Sequence, residues 1–402
     1  MRLTDEFFNS LGSSIVHVNE AETLPPQCYS EASFFEFEKD AIFRNEWLCV
    51  GREAWAKNPG DYFTTSHIGE PIIVVRTEDG VLKALSSVCQ HRAMLVAEGH
   101  GHTRAFLCPY HHWSYSLDGQ LIGAPAMDRA CNFDKRAIRL PEFKVETWLG
   151  FVFINFDPDA PALKPRLTTV TEALKNFDLE SADGSGPMNT ERFPWNWKVS
   201  FENLNDGYHA NRLHQGPVHD IVPSHLSIFP DLPADTAGYF RFNGTTHSDF
   251  STNPTLKAVL PIFPKLTGDE RNRMMFANLP PTLSLVIRSD TVAFIILHAE
   301  THETVSHERG WLVAKGATQQ KLFQERLALN IKTNAEIVAQ DLHVDAQIQI
   351  GVRSKYAVRG RYSWQEQAQW QFNNWLVQRY RKQWGRQAGP APLQPPAVGI
   401  DR

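Results

Sequence analysis

The chain has 402 residues, of which 42% are hydrophobic and 21% charged, a composition typical of a folded globular protein. A formal net charge of -5 without a dense Lys/Arg run argues against a nucleic-acid or anionic-membrane surface. No apolar run approaches the roughly 18 to 20 residues of a membrane-spanning helix, and the start MRLTDEFFNSL is too polar for a signal peptide. Five cysteines do not suggest a secreted disulfide framework. We therefore expect a cytoplasmic protein.

The first part of the chain predicts a helix followed by a small antiparallel β domain. Residues 34–43 are rich in Phe and Glu and favour the helix. Short runs of β-branched and aromatic residues follow, separated by turn signals such as Glu78-Asp79-Gly80 and Asp118-Gly119. The predicted strands are residues 70–76, 81–88, 104–108 and 150–156.

The second part mixes helices and strands. Residues 193–214 become helix-like at their end, and the region from 241 to about 265 is predicted to be rich in loops. Three strands are predicted at 282–288, 291–300 and 304–314, followed by helices at 318–350 and 364–381. Four prolines close to the end predict an extended tail: Pro390, Pro392, Pro395 and Pro396.

Two short segments combine one cysteine with one histidine. Cys89-x-His91 and Cys108-x-x-His111 are separated by 16 residues and lie on predicted hairpin loops of the β domain. Four such ligands can bind one zinc ion or one two-iron cluster, although they could also be unrelated core residues. Zinc sites with two Cys and two His usually separate into a Cys pair and a His pair. One Cys and one His in each loop suits a Rieske [2Fe–2S] centre, where two thiolates bind one iron and two imidazoles the other.

These segments, CQHR at 89–92 and CPYHHW at 108–113, resemble the Rieske domain of the aromatic-ring-hydroxylating oxygenase family. The resemblance implies that Cys89, His91, Cys108 and His111 hold the cluster, with His112 outside the ligand set. Rieske proteins of respiratory chains carry an extra cysteine in each loop. Here Tyr110 occupies that place in the second loop and residues 92–94 offer none in the first, which implies the low-potential type.

A second group of metal-binding side chains lies in the segment 196–214. Two histidines and one carboxylate on one face of an iron leave other positions open for dioxygen and substrate. His209 and His214 are five residues apart, which on a regular α-helix separates them by roughly 140° around the axis. The helix must therefore loosen or end between them. Without the Rieske motif, two histidines near a helix end would more often be ordinary surface or core residues.

The same segment resembles the mononuclear iron motif of the family, Asp-x-x-His-x4-His. The resemblance implies that His209 and His214 are iron ligands and that Asp206 joins the iron site to a Rieske histidine of a neighbouring subunit. The third ligand in the family is a carboxylate far downstream. Asp341 matches it, because Gln349-Ile350-Gly351 follows at the family spacing, and Asp345 is the alternative.

The resemblance implies an α+β fold of two domains. Residues 45–165 would form a small antiparallel β Rieske [2Fe–2S] domain. Residues 1–44 and 166–402 would form the catalytic mononuclear Fe(II) domain, an antiparallel sheet covered by helices in a helix-grip arrangement. The chain has no nucleotide-binding Gly-rich fingerprint and no plant-type ferredoxin cysteine set, so its electrons would come from other proteins.

The implied function is that of the terminal oxygenase in a multicomponent system. It would hydroxylate an aromatic or cyclic organic substrate with O₂ and electrons from NAD(P)H, delivered by a ferredoxin and/or a flavin reductase. A homotrimer is implied, with or without a small beta subunit.

Three other functions stay open at this point. One is a monooxygenase or demethylase of a quaternary ammonium compound, and the others are a non-catalytic Rieske electron carrier and a zinc-bound interaction module. Several apolar residues could line a substrate pocket, although ordinary core packing is the commoner role: Tyr239, Phe240, Phe242, Met274, Phe276, Leu285 and Phe294.

Overall fold

The computed structural model describes residues 1–214, 217–233 and 236–388. The four prolines of the predicted tail lie outside these described residues. Within the described part of the chain, the strands form a seven-stranded, an eight-stranded and a small three-stranded sheet, with antiparallel pairing throughout. None of the helices in this part is long and apolar enough to cross a membrane.

The first ten strands form the seven-stranded and three-stranded sheets. They are β1 Leu48–Arg52, β2 Asp61–His67, β3 Glu70–Arg76, β4 Leu82–Ser86, β5 His100–His102, β6 Phe106–Leu107, β7 Ser114–Tyr115, β8 Leu121–Gly123, β9 Glu142–Trp148 and β10 Phe151–Asn155. The order in the larger sheet is β1-β10-β9-β4-β3-β2-β5, and β6-β7-β8 form the smaller one. A core between the two sheets includes Cys89, Cys108, Trp113 and Tyr115, so packing fixes both predicted cluster loops.

The remaining strands form the eight-stranded sheet. They are β11 Asp183–Gly184, β12 Glu191–Phe193, β13 Ser227–Ile228, β14 Tyr239–Gly244, β15 Arg273–Leu279, β16 Leu283–Ile287, β17 Val292–Thr301 and β18 Thr304–Val313. Their order is β11-β18-β17-β16-β15-β14-β13, with β12 also paired to β18. Side chains alternate between the two faces of a strand. One face of the central strands therefore packs into a buried apolar core that includes Phe240, Met275, Ala277, Leu285 and Ile287.

The helices lie around these sheets. They are α1 Asp5–Ser10, α2 Gln27–Ser30, α3 Ala32–Glu38, α4 Thr168–Leu174, α5 Trp197–Asn205, α6 Ala210–Leu213, α7 Pro217–Ile221, α8 Gly268–Arg271, α9 Phe323–Val352 and α10 Gln367–Ala388. Helix α5 contacts α9, α10 and β15, and this packing places the segment after α5 between the sheet and α9.

A buried ion pair fixes α5 to the N-terminal helices. Lys198 Nζ lies 2.7 Å and 2.9 Å from the two carboxylate oxygens of Glu38, and both side chains are fully buried. Tyr380 of α10 donates a further hydrogen bond to Glu38. The helices α3, α5 and α10 are therefore joined through polar contacts to Glu38 inside an apolar cluster.

Most of the predicted elements are confirmed, and so is the predicted fold class of a small antiparallel β domain plus a helix-covered antiparallel sheet. The predicted helix at 34–43 is α3 followed by the π-helical turn Lys39–Phe43. The prediction of loops from residue 241 onward was wrong at its start, because β14 runs through Gly244. Arg241 and Asn243 are polar and inward-facing, so β14 lacks the pattern of apolar-inward and polar-outward residues that predicts a strand.

Candidate metal centres

The two predicted cluster loops have the same backbone hydrogen bonds. The carbonyl of Cys89 accepts a hydrogen bond from the Ala93 N–H, and that of Cys108 accepts one from the His112 N–H, each at 3.0 Å. Ala93 and His112 both have φ 58°, a left-handed conformation that turns each loop back. The repeated geometry presents one cysteine and one histidine from each loop toward the same place.

The four donor side chains differ in exposure. Cys89 and Cys108 are 2% and 1% exposed and form no disulfide, whereas His91 is exposed and His111 half-buried. The rings of His91 and His111 lie 4.5 Å apart. Nδ1 of His111 is buried and has no hydrogen-bond partner in the described part of the chain. Two buried thiols below two adjacent imidazoles fit the donor set of a Rieske cluster.

Two aromatic residues support this donor set. The Trp113 ring stacks on His91 with centroids 4.8 Å apart, which fixes the imidazole plane. The hydroxyl oxygen of Tyr115 lies 3.3 Å from Cys89 Sγ and accepts a hydrogen bond from the Gln90 N–H. Burial raises the pKa of Tyr115, so this hydroxyl keeps a proton that it can donate to a thiolate. The sequence analysis missed Tyr115, because nothing in its spacing marks it.

The second group of predicted ligands also comes together. Helix α5 ends at Asn205, and His209 and His214 flank the four-residue helix α6 at its two ends. Their Nε2 atoms are 3.3 Å apart. Asp341 of α9 places Oδ1 3.1 Å from Nε2 of His214 and 3.5 Å from Nε2 of His209. The helix therefore ends between the histidines, which allows both rings to reach one point.

The distances between these three atoms fit one metal ion. Ligand bonds of about 2.1 Å at right angles put neighbouring ligand atoms about 3 Å apart, which is the face of an octahedron. Among the described residues, this is the one group of three or more metal-binding side chains whose ligand atoms all lie within 4.8 Å of one another. Two histidines and one carboxylate that would hold an ion from one side match the ligand set of a facial triad.

A hydrogen bond on the far side of the His214 ring sets its tautomer. Nδ1 of His214 lies 2.9 Å from Oε1 of Gln340, which is an acceptor, so the neutral ring carries its proton on Nδ1. Nδ1 of His209 lies 3.1 Å from Oδ2 of Asp206 but without hydrogen-bond geometry. The Nε2 lone pair of His214 then faces a carboxylate oxygen at close range, an arrangement that a cation stabilises. The sequence analysis used Gln340 only as a neighbour of Asp341 and missed this contact.

Asp345, the alternative third ligand, lies elsewhere. It is 4% exposed, one helical turn beyond Asp341, and it is not part of the converging trio. Burial raises the pKa of Asp345 to about 8, with the charges of Asp341 and Glu202 adding to the rise. A carboxyl group that is neutral at pH 7 is a poor metal ligand, so the geometry and the charge both favour Asp341.

A cavity of about 130 Å³ adjoins the trio. Its walls come from β14 to β16, from α9 and from the segments around α6 and α7. Of the apolar residues considered from the sequence, Met274 and Phe276 line it, whereas Tyr239, Phe240, Leu285 and Phe294 lie in the apolar cores and Phe242 packs against one of them. Two arginines that the sequence analysis missed, Arg241 and Arg288, also line this cavity. Burial lowers the pKa of each guanidinium to about 10, so both remain charged at neutral pH.

Comparison with known proteins places the two metal centres in a family. Residues 46–144 match the Rieske [2Fe-2S] domain, and residues 171–382 match the ring hydroxylating alpha subunit (catalytic domain). Over 203 residues the chain is 37% identical to the carnitine monooxygenase oxygenase subunit of Escherichia coli (strain K12), a segment covering 49% of this chain and 53% of that protein. It is 32% identical over 193 residues to the glycine betaine monooxygenase oxygenase subunit of Pseudomonas aeruginosa (strain UCBPP-PA14), covering 48% and 44%. The matched segments thus span about half the length of these curated relatives.

Two solved structures have the same fold. A quaternary ammonium Rieske monooxygenase superposes with a TM-score of 0.78 at 26% identity, covering 94% of this chain and 99% of that one. Naphthalene 1,2-dioxygenase from Rhodococcus sp. superposes with a TM-score of 0.79 at 19% identity over 94% and 99%, a likeness of fold alone. Because the catalytic-domain match extends over more than half of the residues, the chain belongs to the ring-hydroxylating alpha subunit family, with a Rieske domain for a [2Fe–2S] cluster and a catalytic domain for a mononuclear iron.

Proposed function

We propose that the protein is the terminal oxygenase component of a multicomponent Rieske oxygenase, which hydroxylates an aromatic or cyclic organic substrate with O₂. The observation that carries the proposal is the convergence of His209, His214 and Asp341 beside a cavity, in a chain that also presents the two Rieske loops. A simple electron carrier would need the loops but neither the trio nor the cavity.

In this proposal, Cys89, His91, Cys108 and His111 hold the cluster, whereas His209, His214 and Asp341 hold the iron. A ferrous ion bound on one face by two histidines and a carboxylate supplies the chemistry of dioxygen activation. The protein residues orient these ligands and exclude water. The apolar wall of Phe250, Met274 and Phe276 keeps the cavity dry, which strengthens polar contacts inside it.

Asp206 accepts a hydrogen bond from the backbone N–H of His209 at 3.2 Å and places Oδ2 3.1 Å from Nδ1 of the same residue, so it holds this histidine in position. Its side chain is 19% exposed, and Tyr208 beside it is 57% exposed, so this edge of the iron site reaches the protein surface. We propose that the protein forms a homotrimer in which Asp206 faces a Rieske histidine of the neighbouring subunit. The surface positions of His91 and His111 suit electron exchange with such a neighbour.

The proposed electron source is NAD(P)H, through a flavin reductase with or without a ferredoxin. A small beta subunit is compatible with this assembly. The proposed domain boundaries are 45–165 for the Rieske domain and 1–44 with 166–402 for the catalytic domain. A reducing cytoplasm is the proposed location, because the cysteines are unpaired in the structure.

A second candidate function is the monooxygenation or demethylation of a quaternary ammonium compound. It is favoured by the similarity to carnitine and glycine betaine monooxygenase subunits. Both candidates require the same two metal centres and differ in the substrate and in the product formed from it.

Iron counting with an oxygen-uptake assay tests the proposed function. The ligand sets require about three irons per chain for an oxygenase and about two for a carrier. We expect His209→Ala to lose one iron and all hydroxylation while keeping the red cluster colour, and Asn19→Ala, a change in an exposed loop, to keep all three irons. A wild-type protein with two irons, or with no O₂ uptake on a panel of aromatic acids and quaternary amines, would refute an oxygenase function.

A further inference from the structure

Two buried arginines, Arg241 and Arg288, face the cavity from the eight-stranded sheet. Arg241 lies on β14, and Arg288 directly follows the last residue of β16. Arg241 of β14 lies opposite Phe276 of β15, which lies opposite Val286 of β16. Residues opposite each other in a sheet point to the same face, and so does the residue two positions further along. Arg288 follows Val286 by two positions, and all four residues line the cavity. The side-chain alternation thus directs both guanidinium groups into the pocket beside the iron ligands.

Neither arginine forms an ion pair with a carboxylate within the described part of the chain. Arg241 and Arg288 are 4% and 6% exposed, and the Nε atom of each is buried without a hydrogen-bond acceptor. Their recorded hydrogen bonds are to neutral amides: Arg241 to Asn243 at 3.2 Å, and Arg288 to Asn334 at 2.7 Å. Both groups therefore keep free donors inside the pocket.

The nearby acidic residues attract these arginines without forming ion pairs with them. The carboxylate of Asp290 attracts Arg288 but accepts its hydrogen bonds from Ser251, Thr291 and the Val259 N–H, and Asp206 likewise attracts Arg241 from a distance. Buried charges in proteins are normally paired directly, because an unpaired one is costly. Two guanidinium groups without a direct counterion in one substrate cavity indicate that a carboxylate partner arrives with the ligand.

The position of Arg288 relative to the iron ligands defines where that partner binds. Its contact Asn334 lies seven residues before Asp341 on α9, and both line the cavity. Seven residues are two helical turns, or about 10 Å along the axis. The Arg288 end of the cavity is therefore set apart from the trio, and Val338, Phe250 and Phe276 also line the cavity.

We propose that the substrate is a small organic acid whose carboxylate binds Arg288, with Arg241 adding positive potential and the carbon skeleton directed toward the iron ligands. A guanidinium binds a carboxylate through paired, charge-assisted hydrogen bonds. The cavity of about 130 Å³ is comparable to the roughly 150 Å³ of an apolar cavity that accepts benzene, so it suits a single ring. This inference rests on the proposed function and names the substrate class for the same site.

The charges also discriminate between the substrate classes. A quaternary ammonium cation without an acid group would enter a pocket that already holds two guanidinium charges, which is unfavourable at short range in a dry site. A zwitterion such as L-carnitine could still place its carboxylate on Arg288. Aromatic acids and zwitterionic betaines both carry a carboxylate that Arg288 could bind. The aromatic side chains in the cavity wall favour an aromatic acid as the substrate.

Equilibrium binding to the iron-loaded wild-type protein tests the inference without turnover. Isothermal titration calorimetry would compare benzoate with the neutral benzamide, and L-carnitine with the cation choline. We expect benzoate to bind at least about tenfold more tightly than benzamide, and choline to bind weakest. A clear preference for L-carnitine over benzoate would retain the carboxylate anchor but make a betaine its source. Binding of benzamide or choline as tight as that of the matching acid would overturn the inference.

Variants then locate the anchor. Arg288→Gln should lose the preference for benzoate over benzamide, Arg288→Lys should keep part of it, and Arg241→Gln should reduce it less. Arg273→Gln is the matched control, because Arg273 lies on the same sheet, packs on Phe242 and does not line the cavity. If Arg288→Gln or Arg288→Lys folds and binds benzoate like wild type, the anchor is wrong. Iron content measured on the same samples separates this failure from a failure of the proposed function, which predicts about three irons per chain.

Discussion

The Oε1 atom of Gln340 lies 2.9 Å from Nδ1 of His214, on the side of the imidazole that faces away from Asp341. Gln340 and Asp341 are adjacent on α9, so one position of this helix contributes the carboxylate and the preceding position orients the histidine that the carboxylate meets. The two contacts approach His214 from opposite ring nitrogens. Helix α9 therefore controls both the ligand set and the tautomer of His214.

This relationship predicts a role for Gln340 in iron binding. Partners of this kind usually contribute 10- to 100-fold to metal affinity, so we expect Gln340→Ala to weaken iron binding by about that factor. Iron retention during dialysis against a chelator would measure it, with the cluster absorption unchanged. Gln347→Ala on the exposed side of α9 is the control. Equal iron retention in the two variants would contradict the prediction.

Asp206→Asn tests electron transfer separately from metal binding. The amide has the size of the carboxylate and its oxygen can still accept the hydrogen bond from the backbone N–H of His209, so we expect both metal centres to be retained. Turnover should be abolished, because the carboxylate is proposed to couple the iron site to a Rieske histidine of the neighbouring subunit. Stopped-flow reduction of the iron site in a single turnover is the measurement. A wild-type rate would remove Asp206 from the proposed path.

The third iron ligand is tested by comparing two acids on α9. Asp341→Ala should remove the mononuclear iron and all hydroxylation, because Oδ1 is the one carboxylate oxygen of the converging trio. Asp345→Ala should retain the iron, since this buried carboxyl group lies outside the trio and its pKa is raised to about 8. Iron analysis of both variants gives the answer. Loss of iron from the Asp345 variant alone would show that Asp345, and not Asp341, is the third iron ligand.

The Rieske assignment predicts a change in the spectrum of the cluster. Two neutral imidazoles on one iron raise its potential above that of clusters with four thiolates. His91→Cys or His111→Cys should therefore lower the potential and alter the visible and electron-paramagnetic-resonance spectra. The mononuclear iron content should stay the same, because that site uses other residues. Unchanged spectra in both variants would refute the Rieske assignment.

The buried pair of Lys198 and Glu38 makes a prediction about stability. Lys198→Met would leave the carboxylate of Glu38 buried without its cation, which typically costs about 3 to 5 kcal/mol in free energy of unfolding. The double variant Lys198→Met with Glu38→Gln should recover most of that loss. Lys175→Met, at an exposed ion pair with Glu172, should cost far less stability than Lys198→Met. Urea denaturation would rank the three, and a small effect of Lys198→Met alone would contradict the account.

Strands and helices with a regular pattern of apolar residues were predictable from the sequence. A strand that carries polar side chains into the cavity was not predicted. Strand β3 was predicted with its observed bounds because its buried run, residues 72–75, is uniformly apolar. Strand β14 was not, because Arg241 and Asn243 face the cavity and interrupt the apolar pattern. Polar groups that serve a substrate site break the very pattern from which a strand is recognised.

The geometry of the two predicted cluster loops and of the two predicted iron-site histidines is determined by the local sequence. Their geometry is local: each loop closes through a hydrogen bond between residues four positions apart, and the two histidines flank one short helix. The order of residue types therefore fixes the donor set before the domains pack.

Only the tertiary structure decided the remaining parts of the site. Asp341 and Asp345 share one face of α9, so helical periodicity treats them alike, and the packing of α9 against α5 determines which carboxylate meets the histidines. Arg241 and Arg288 come from separate strands and converge only when the sheet forms. Such contacts join residues that are distant along the chain, and their geometry is set by how sheets and helices pack rather than by local sequence.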